Sequence, residues 1–302
     1  MKCNPYAWDA LSDWGTLLAN NGRESEAFAK WTAAVAVNPA ASGPYNAWGN
    51  YLYERSEYRK AAELYRQAIS RRPYDVTLHL NLANDLSAAG DIPAAQREYE
   101  ETFKANPYEW GVLSDWGTLL ANNHMESEAI AKWNAAAVLN PAASEPYTEW
   151  GKYLYQQHMY IKAAERYRQA ISRHPHDAVL HSNLASALSA AGDFPGADHE
   201  YDEALKANPY AWGVLSDWGT LLANNGRETQ AIVKWEAAAA LNPAAWEPYN
   251  RWGNYLYENG DVKGSISKYR AAVARNPKDA VLRGNLKSAV EHVIGARTKG
   301  KK

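Results

Sequence analysis

The stretch Leu11-Ser12-Asp13-Trp14-Gly15-Thr16-Leu17-Leu18-Ala19-Asn20-Asn21 recurs unchanged at residues 113–123 and 215–225, an offset of 102 residues each time. A finer period lies beneath it. Pro5, Pro39, Pro73, Pro107, Pro141, Pro175, Pro209, Pro243 and Pro277 follow one another at 34 residues without a slip. A fixed period of this size marks units that cannot bury their apolar faces alone and so stack on their neighbours.

Within residues 5–38, Trp8, Leu11, Trp14, Gly15 and Leu18 recur at the spacing of a helix with one buried face. Asn20-Asn21-Gly22 closes that helix, because Asn and Gly tolerate the left-handed conformation. A second helix carries Ala27, Trp31 and Ala34 on one stripe and ends at Asn38, ahead of Pro39. Each unit therefore reads as an antiparallel pair of helices. Small residues (Gly15, Gly49, Ala83, Gly117 and their successors) face large ones (Trp31, Tyr65, Tyr99, Trp133 and theirs), as close interdigitation requires. The units are of three kinds, which explains the longer period. The first carries Ser-Asp-Trp-Gly, the second Tyr-x-x-Trp-Gly with Tyr-Leu-Tyr, and the third Asn-Leu-Ala with a Gly-Asp turn.

These residues resemble the tetratricopeptide repeat. Gly15, Leu18, Ala27, Trp31, Ala34 and Pro39 fall at that family's positions, although its leading Trp and Leu are exchanged here for Leu11 and Trp14. The resemblance implies an all-α fold, a right-handed superhelical solenoid of antiparallel helix pairs. Eight repeats are expected over 5–276, namely 5–38, 39–72, 73–106, 107–140, 141–174, 175–208, 209–242 and 243–276. A capping helix follows over 277–296, with Asp279 as its N-cap and Arg283 and Lys287 on its polar side, then a basic disordered tail over 297–302.

Charge narrows the partners. Residues 1–208 hold 26 acidic and 18 basic side chains, residues 209–302 hold 8 and 14, and the net charge is −2. The basic excess falls largely in the terminal helix and tail, where a solvated segment accounts for it, so no nucleic-acid partner is expected. Cys3 is the only cysteine, which rules out an internal disulfide and suits a reducing, cytoplasmic setting. The longest uncharged stretch, Trp31 to Tyr53, is broken by Pro39, Gly43, Pro44 and Gly49, and no membrane span is expected. The amino terminus lacks the apolar core of a secretory signal.

Candidate chemistry is sparse. His174, His176 and His181 come close in sequence, but without an acid at ligand spacing on one helix face they make a poor metal set. Asp13 and Asp115 lie three units apart, too far to act as a pair, and the glycines are isolated. No catalytic, metal or cofactor residue is assigned. The resemblance instead implies a concave groove lined by the first helix of each repeat. One row carries Asp13, Asn81, Asp115, Glu149, Asn183, Asp217 and Arg251, beside Asn46 and Asn250. A second holds Thr16, Asn50, Asn84, Thr118, Lys152, Thr220 and Asn254, and a third holds Tyr53, Tyr155 and Tyr257. Asparagine both donates and accepts, so these rows suit an extended peptide backbone. Lys152 and Arg251 are the only cations among them, which favours a basic or neutral peptide or protein over an acidic one. The expected function is a non-catalytic interaction scaffold. The alternative is a protein that stacks head-to-tail into homo-oligomers, its acidic front meeting its basic rear.

Overall fold

A computed structural model describes residues 7–299, with side chains to residue 295. Cys3, Pro5 and the last tail residues, Lys301 and Lys302, lie outside the described residues. Seventeen helices and no strand are found among the described residues. They group into two compact units, Met1–Ala142 and Ala143–Lys302, and the break falls at the repeat boundary marked by Pro141.

The first unit holds α1 (Ala7–Asn20), α2 (Glu24–Val37), α3 (Gly43–Glu54), α4 (Tyr58–Ile69), α5 (Val76–Ala88), α6 (Ile92–Ala105), α7 (Trp110–Asn122) and α8 (Glu126–Leu139). The second holds α9 (Glu145–Gln156), α10 (Tyr160–Ile171), α11 (Ala178–Ala190), α12 (Phe194–Ala207), α13 (Trp212–Asn224), α14 (Glu228–Leu241), α15 (Glu247–Glu258), α16 (Val262–Arg275) and α17 (Ala280–Lys299). In both, odd and even helices pair as hairpins, and each hairpin packs on the next within its unit.

The large-against-small rule is literal. A Cβ added to Gly15 would stand 2.7 Å from Trp31, and one added to Gly49 would stand 2.8 Å from Tyr65. The freed space lets the Trp31 indole N–H donate to the Ser12 carbonyl at 3.2 Å, a bond repeated by Trp133 and Trp235. Where the following repeat opens with a tryptophan-bearing helix, the buried ring stacks on it: Trp31 on Trp48, Tyr99 on Trp116, Tyr201 on Trp218 and Trp235 on Trp252, with centroids 6.0–6.2 Å apart. A lysine of the tryptophan's own repeat also lies over three of these rings, Lys132 over Trp116 at 3.3 Å, Lys234 over Trp218 at 3.4 Å and Lys268 over Trp252 at 3.0 Å.

Trp14 departs from the expected core. Lys30 covers one face at 3.6 Å, but no described helix precedes α1, and the ring is 49% exposed where Trp218 is 9%. Helix ends follow the expected chemistry. Asp75, Asp177 and Asp279 each accept from two backbone N–H groups of the helix they open, and Pro93 and Pro195 sit in the first turns of α6 and α12. The turn that ends α1 takes a positive φ at Gly22, and its counterpart after α13 at Gly226, but in the middle copy the same place is held by His124. The last helix, expected to end at 296, continues to Lys299, so part of the expected disordered tail is helical.

Candidate functional site

The odd-numbered helices bring the expected groove residues together in two places, one in each unit. In the first unit, Tyr53 from α3, Asn84 and Ser87 from α5, and Asp115, Thr118 and Asn122 from α7 line a recess of about 230 Å³. In the second, Tyr155 from α9, Ser186 and Ser189 from α11, and Asp217, Thr220 and Asn224 from α13 line one of about 340 Å³, with Arg251 from α15. Arg251 apart, the residues named correspond one to one at the offset of 102 residues, and among them only Asn84 and Ser186 differ in type.

Ser87, Ser189, Asn122 and Asn224 were not foreseen as lining residues. The signal was present in the repeated string, whose two terminal asparagines both read as helix stops. They divide the work. Asn123 and Asn225 bond back to carbonyls of their own helices at 2.8 Å, whereas Asn122 and Asn224 face the recesses.

The asparagine ladder is partly engaged in the fold. Tyr65, Tyr99 and Tyr269 donate their hydroxyls to the side-chain oxygens of Asn50, Asn84 and Asn254 at 2.7–2.9 Å. Burial raises the pKa of all three phenols, which therefore stay protonated and donate. These asparagines keep both N–H donors for a ligand, while one of the two lone pairs on each side-chain oxygen is already taken by a tyrosine. Asn81 donates to Asn46 at 2.9 Å and Asn285 to Asn250 at 3.0 Å, which pins α5 to α3 and α17 to α15. Asn183 occupies the same place, but its partner position is Thr148, whose hydroxyl bonds to its own helix, and its buried amide N–H has no acceptor among the described residues. Thr16, Thr118 and Thr220 donate to carbonyls one turn back, leaving their oxygens as acceptors.

Among the charged residues, Glu149 pairs with Lys152 at 2.7 Å. Asp217 holds Arg251 at 2.6 Å, and a second guanidinium nitrogen reaches the Thr220 hydroxyl at 3.4 Å. Burial raises the Asp217 pKa while Arg251 pulls it down. Asp13 and Asp115 are exposed. Tyr257 joins no such recess and instead meets the His292 ring edge-on. Two of the three histidines read as a poor metal set have partners of their own: His174 meets the Ser144 hydroxyl at 3.0 Å, and His181 spans Glu200 at 2.6 Å and the Pro175 carbonyl at 3.0 Å. Each recess thus offers hydroxyls, amides and one carboxylate on rigid helices, an arrangement that holds a polar chain by hydrogen bonds.

Two family models, both described as tetratricopeptide repeat, match this chain, one at residues 154–224 and the other at residues 46–84 and 216–280. Tetratricopeptide repeat protein 33 of Xenopus laevis is 27% identical over 122 residues, a match that spans 39% of this chain and 47% of that relative. A tetratricopeptide repeat protein from Parabacteroides merdae superposes with a TM-score of 0.55 at 14% identity, covering 94% of this chain and 98% of that one. The Cut9–Hcn1 hetero-tetramer of the APC/C gives 0.53 at 17% identity, covering 87% of this chain and 52% of that one.

Proposed function

From the premise that this chain belongs to the tetratricopeptide-repeat family, and so to a group of generally non-catalytic protein-interaction scaffolds, we propose that it holds an extended peptide or partner protein against its odd-numbered helices. The observation that carries this reading is the pair of polar recesses built from the same residue types in both units. Neither is lined by a lysine, and Arg251 is balanced by Asp217. The partner is therefore basic or neutral rather than acidic, and neither nucleic acid nor a membrane. No described helix is long and apolar enough to cross a membrane, and the proposed location is the cytoplasm.

The test exploits the tyrosine bonds. In Asn50→Asp, Asn84→Asp and Asn254→Asp together, each aspartate still accepts from its tyrosine but offers no N–H outward. Loss of a partner captured from the native cell, with helicity unchanged, supports the groove reading; undiminished capture refutes it.

One observation favours head-to-tail stacking as a second reading. Trp14 and Leu17 are 49% and 61% exposed on α1, whereas the matching Trp218 and Leu221 on α13 are 9% and 4%. The exposed Arg283 and Lys287 on α17 weigh against it. Sedimentation at rising concentration and low salt decides between them: a constant monomer mass excludes stacking.

A further inference from the structure

We propose that the outer face of α1 docks an acidic amphipathic helix of a partner, one that carries a tyrosine with a carboxylate one turn before it and another just after it. This surface lies outside the recesses described above and adds a second, separate contact.

The chain shows twice how such a face is covered. α7 and α13 share the Leu-Ser-Asp-Trp string of α1, and each has a preceding second helix packed on it, α6 and α12. There Tyr99 stacks on Trp116 and Tyr201 on Trp218, and Val112 and Leu119, like Val214 and Leu221, are buried. At the same places α1 presents Ala10, Trp14 and Leu17, all of them exposed.

Charge decides which kind of helix fits. Asp198 on α12 accepts from the Trp218 indole N–H and pairs with Arg227 at 3.0 Å. Its charge and that of Asp202 also bear on Lys234, the lysine over that ring. In the first unit Glu100 of α6 does the same for Lys132. Trp14, Arg23 and Lys30 stand in the places of Trp218, Arg227 and Lys234, with Lys30 at 3.6 Å over the ring. Glu26 takes two nitrogens of the Arg23 guanidinium, which leaves the third, and the Trp14 N–H, without an acceptor among the described residues. An open tryptophan flanked by cations is complementary to an aromatic flanked by acids, which α12 supplies as Asp198, Tyr201 and Asp202. A second copy of the chain is the poorer occupant. Its last helix, α17, stands in the register of α5 and α11 rather than of α6 and α12, and its exposed Arg283 and Lys287 have the same sign as Arg23 and Lys30.

The probe is a peptide that copies residues 193–208, cross-linked between positions 199 and 206, both exposed in α12, so that it stays helical alone. Binding to the full chain is followed by the indole N–H resonance of Trp14, assigned by its loss in Trp14→Phe. A saturable one-to-one shift of that resonance is expected. The peptide carrying Asp198→Ala, and the chain carrying Arg23→Glu with Lys30→Glu, should each bind at least about tenfold more weakly, as when charge-assisted pairs are lost. Circular dichroism confirms that the peptides are helical and that the variant chain folds.

No shift at millimolar peptide overturns the proposal, and so does equal binding by the Asp198→Ala peptide or by the charge-reversed chain. A Trp14 shift that grows with the concentration of the chain alone gives the face to a second copy and overturns it too. None of these outcomes touches the groove reading, which partner capture in the asparagine variants decides.

Discussion

The two units carry the same 102-residue pattern, and they differ most where one holds a polar group that the other has matched or removed. Asp85 on α5 is fully buried, and no hydrogen bond of ordinary geometry reaches its carboxylate oxygens. At the same place on α11 the second unit has Ala187, equally buried and apolar. Trp116 leaves its indole N–H without an acceptor, whereas the N–H of Trp218 reaches Asp198, which Arg227 holds at 3.0 Å. The first unit has Gln96 and Met125 in those two places. The second unit is not uniformly better, for it is there that Asn183 lacks the acceptor supplied by Asn46 in the first. A repeat tolerates such losses because its stability comes mainly from the ring stacking and the Gly-to-aromatic contacts that both units keep.

The sharpest contrast is between a tryptophan held inside a unit and one left at an end. Trp235→Ala should cost about 3–5 kcal/mol, since it empties a wholly buried site. Trp14→Ala should cost under about 1 kcal/mol, because half of its ring is already in water. Repeat arrays need not unfold in one step, so amide exchange followed helix by helix is the fitting readout. Similar losses at the two positions would break the comparison.

Asp85→Ala, which copies the second unit into the first, comes next. Burial pushes the Asp85 carboxyl up to about 7 from 3.8, although the Ala62 backbone and the Arg66 charge pull it back. A raised carboxylate pKa means that the folded unit favours the neutral acid. The penalty is absent below 3.8, grows as pH rises to about 7 and is constant above it. The substitution should therefore stabilise α5 on the order of 2–4 kcal/mol above neutrality, from about 1.4 kcal/mol per pKa unit less the small cavity left by alanine. The gain should vanish in acid. Denaturant midpoints measured across that pH range check the amount and the sign together.

Smaller gains should follow from completing the remaining bonds. Gln96→Asp with Met125→Arg rebuilds the arrangement of Asp198 and Arg227 around Trp116, and should add roughly 1–2 kcal/mol, read as slower amide exchange in α7. Thr148→Asn gives Asn183 the acceptor that Asn81 finds in Asn46, for roughly 1 kcal/mol, seen as a higher melting temperature. An unchanged stability in either variant would show that solvent already satisfies the group.

Much of this was legible in the chain before folding. The 34-residue prolines and the alternation of Gly with Trp or Tyr determine the hairpins, because a single Cβ at Gly15 would collide with Trp31. The cap at Asp279 was read in the sequence, and Asp75 and Asp177, which the structure adds, hold the same place in their repeats. The site was less so. That Tyr53, Asn84, Asp115 and Thr118 face one recess follows from repeat arithmetic, but the hydroxyl of Tyr99 reaching Asn84 depends on how a second helix crosses the first. The pairing of Asp217 with Arg251 likewise joins two helices 34 residues apart. The exposure of Trp14 was hidden for another reason: its local sequence is identical to that around Trp116 and Trp218, and only the presence of a preceding helix distinguishes them.

Site-specific photo-crosslinking tests the central claim most directly. A benzoylphenylalanine placed at Asn122 or Asn224, on the rims of the two recesses, should capture the native partner, while one at Tyr74 or Tyr210, on exposed inter-repeat turns, should not. Capture from the turns with none from the rims would contradict the account.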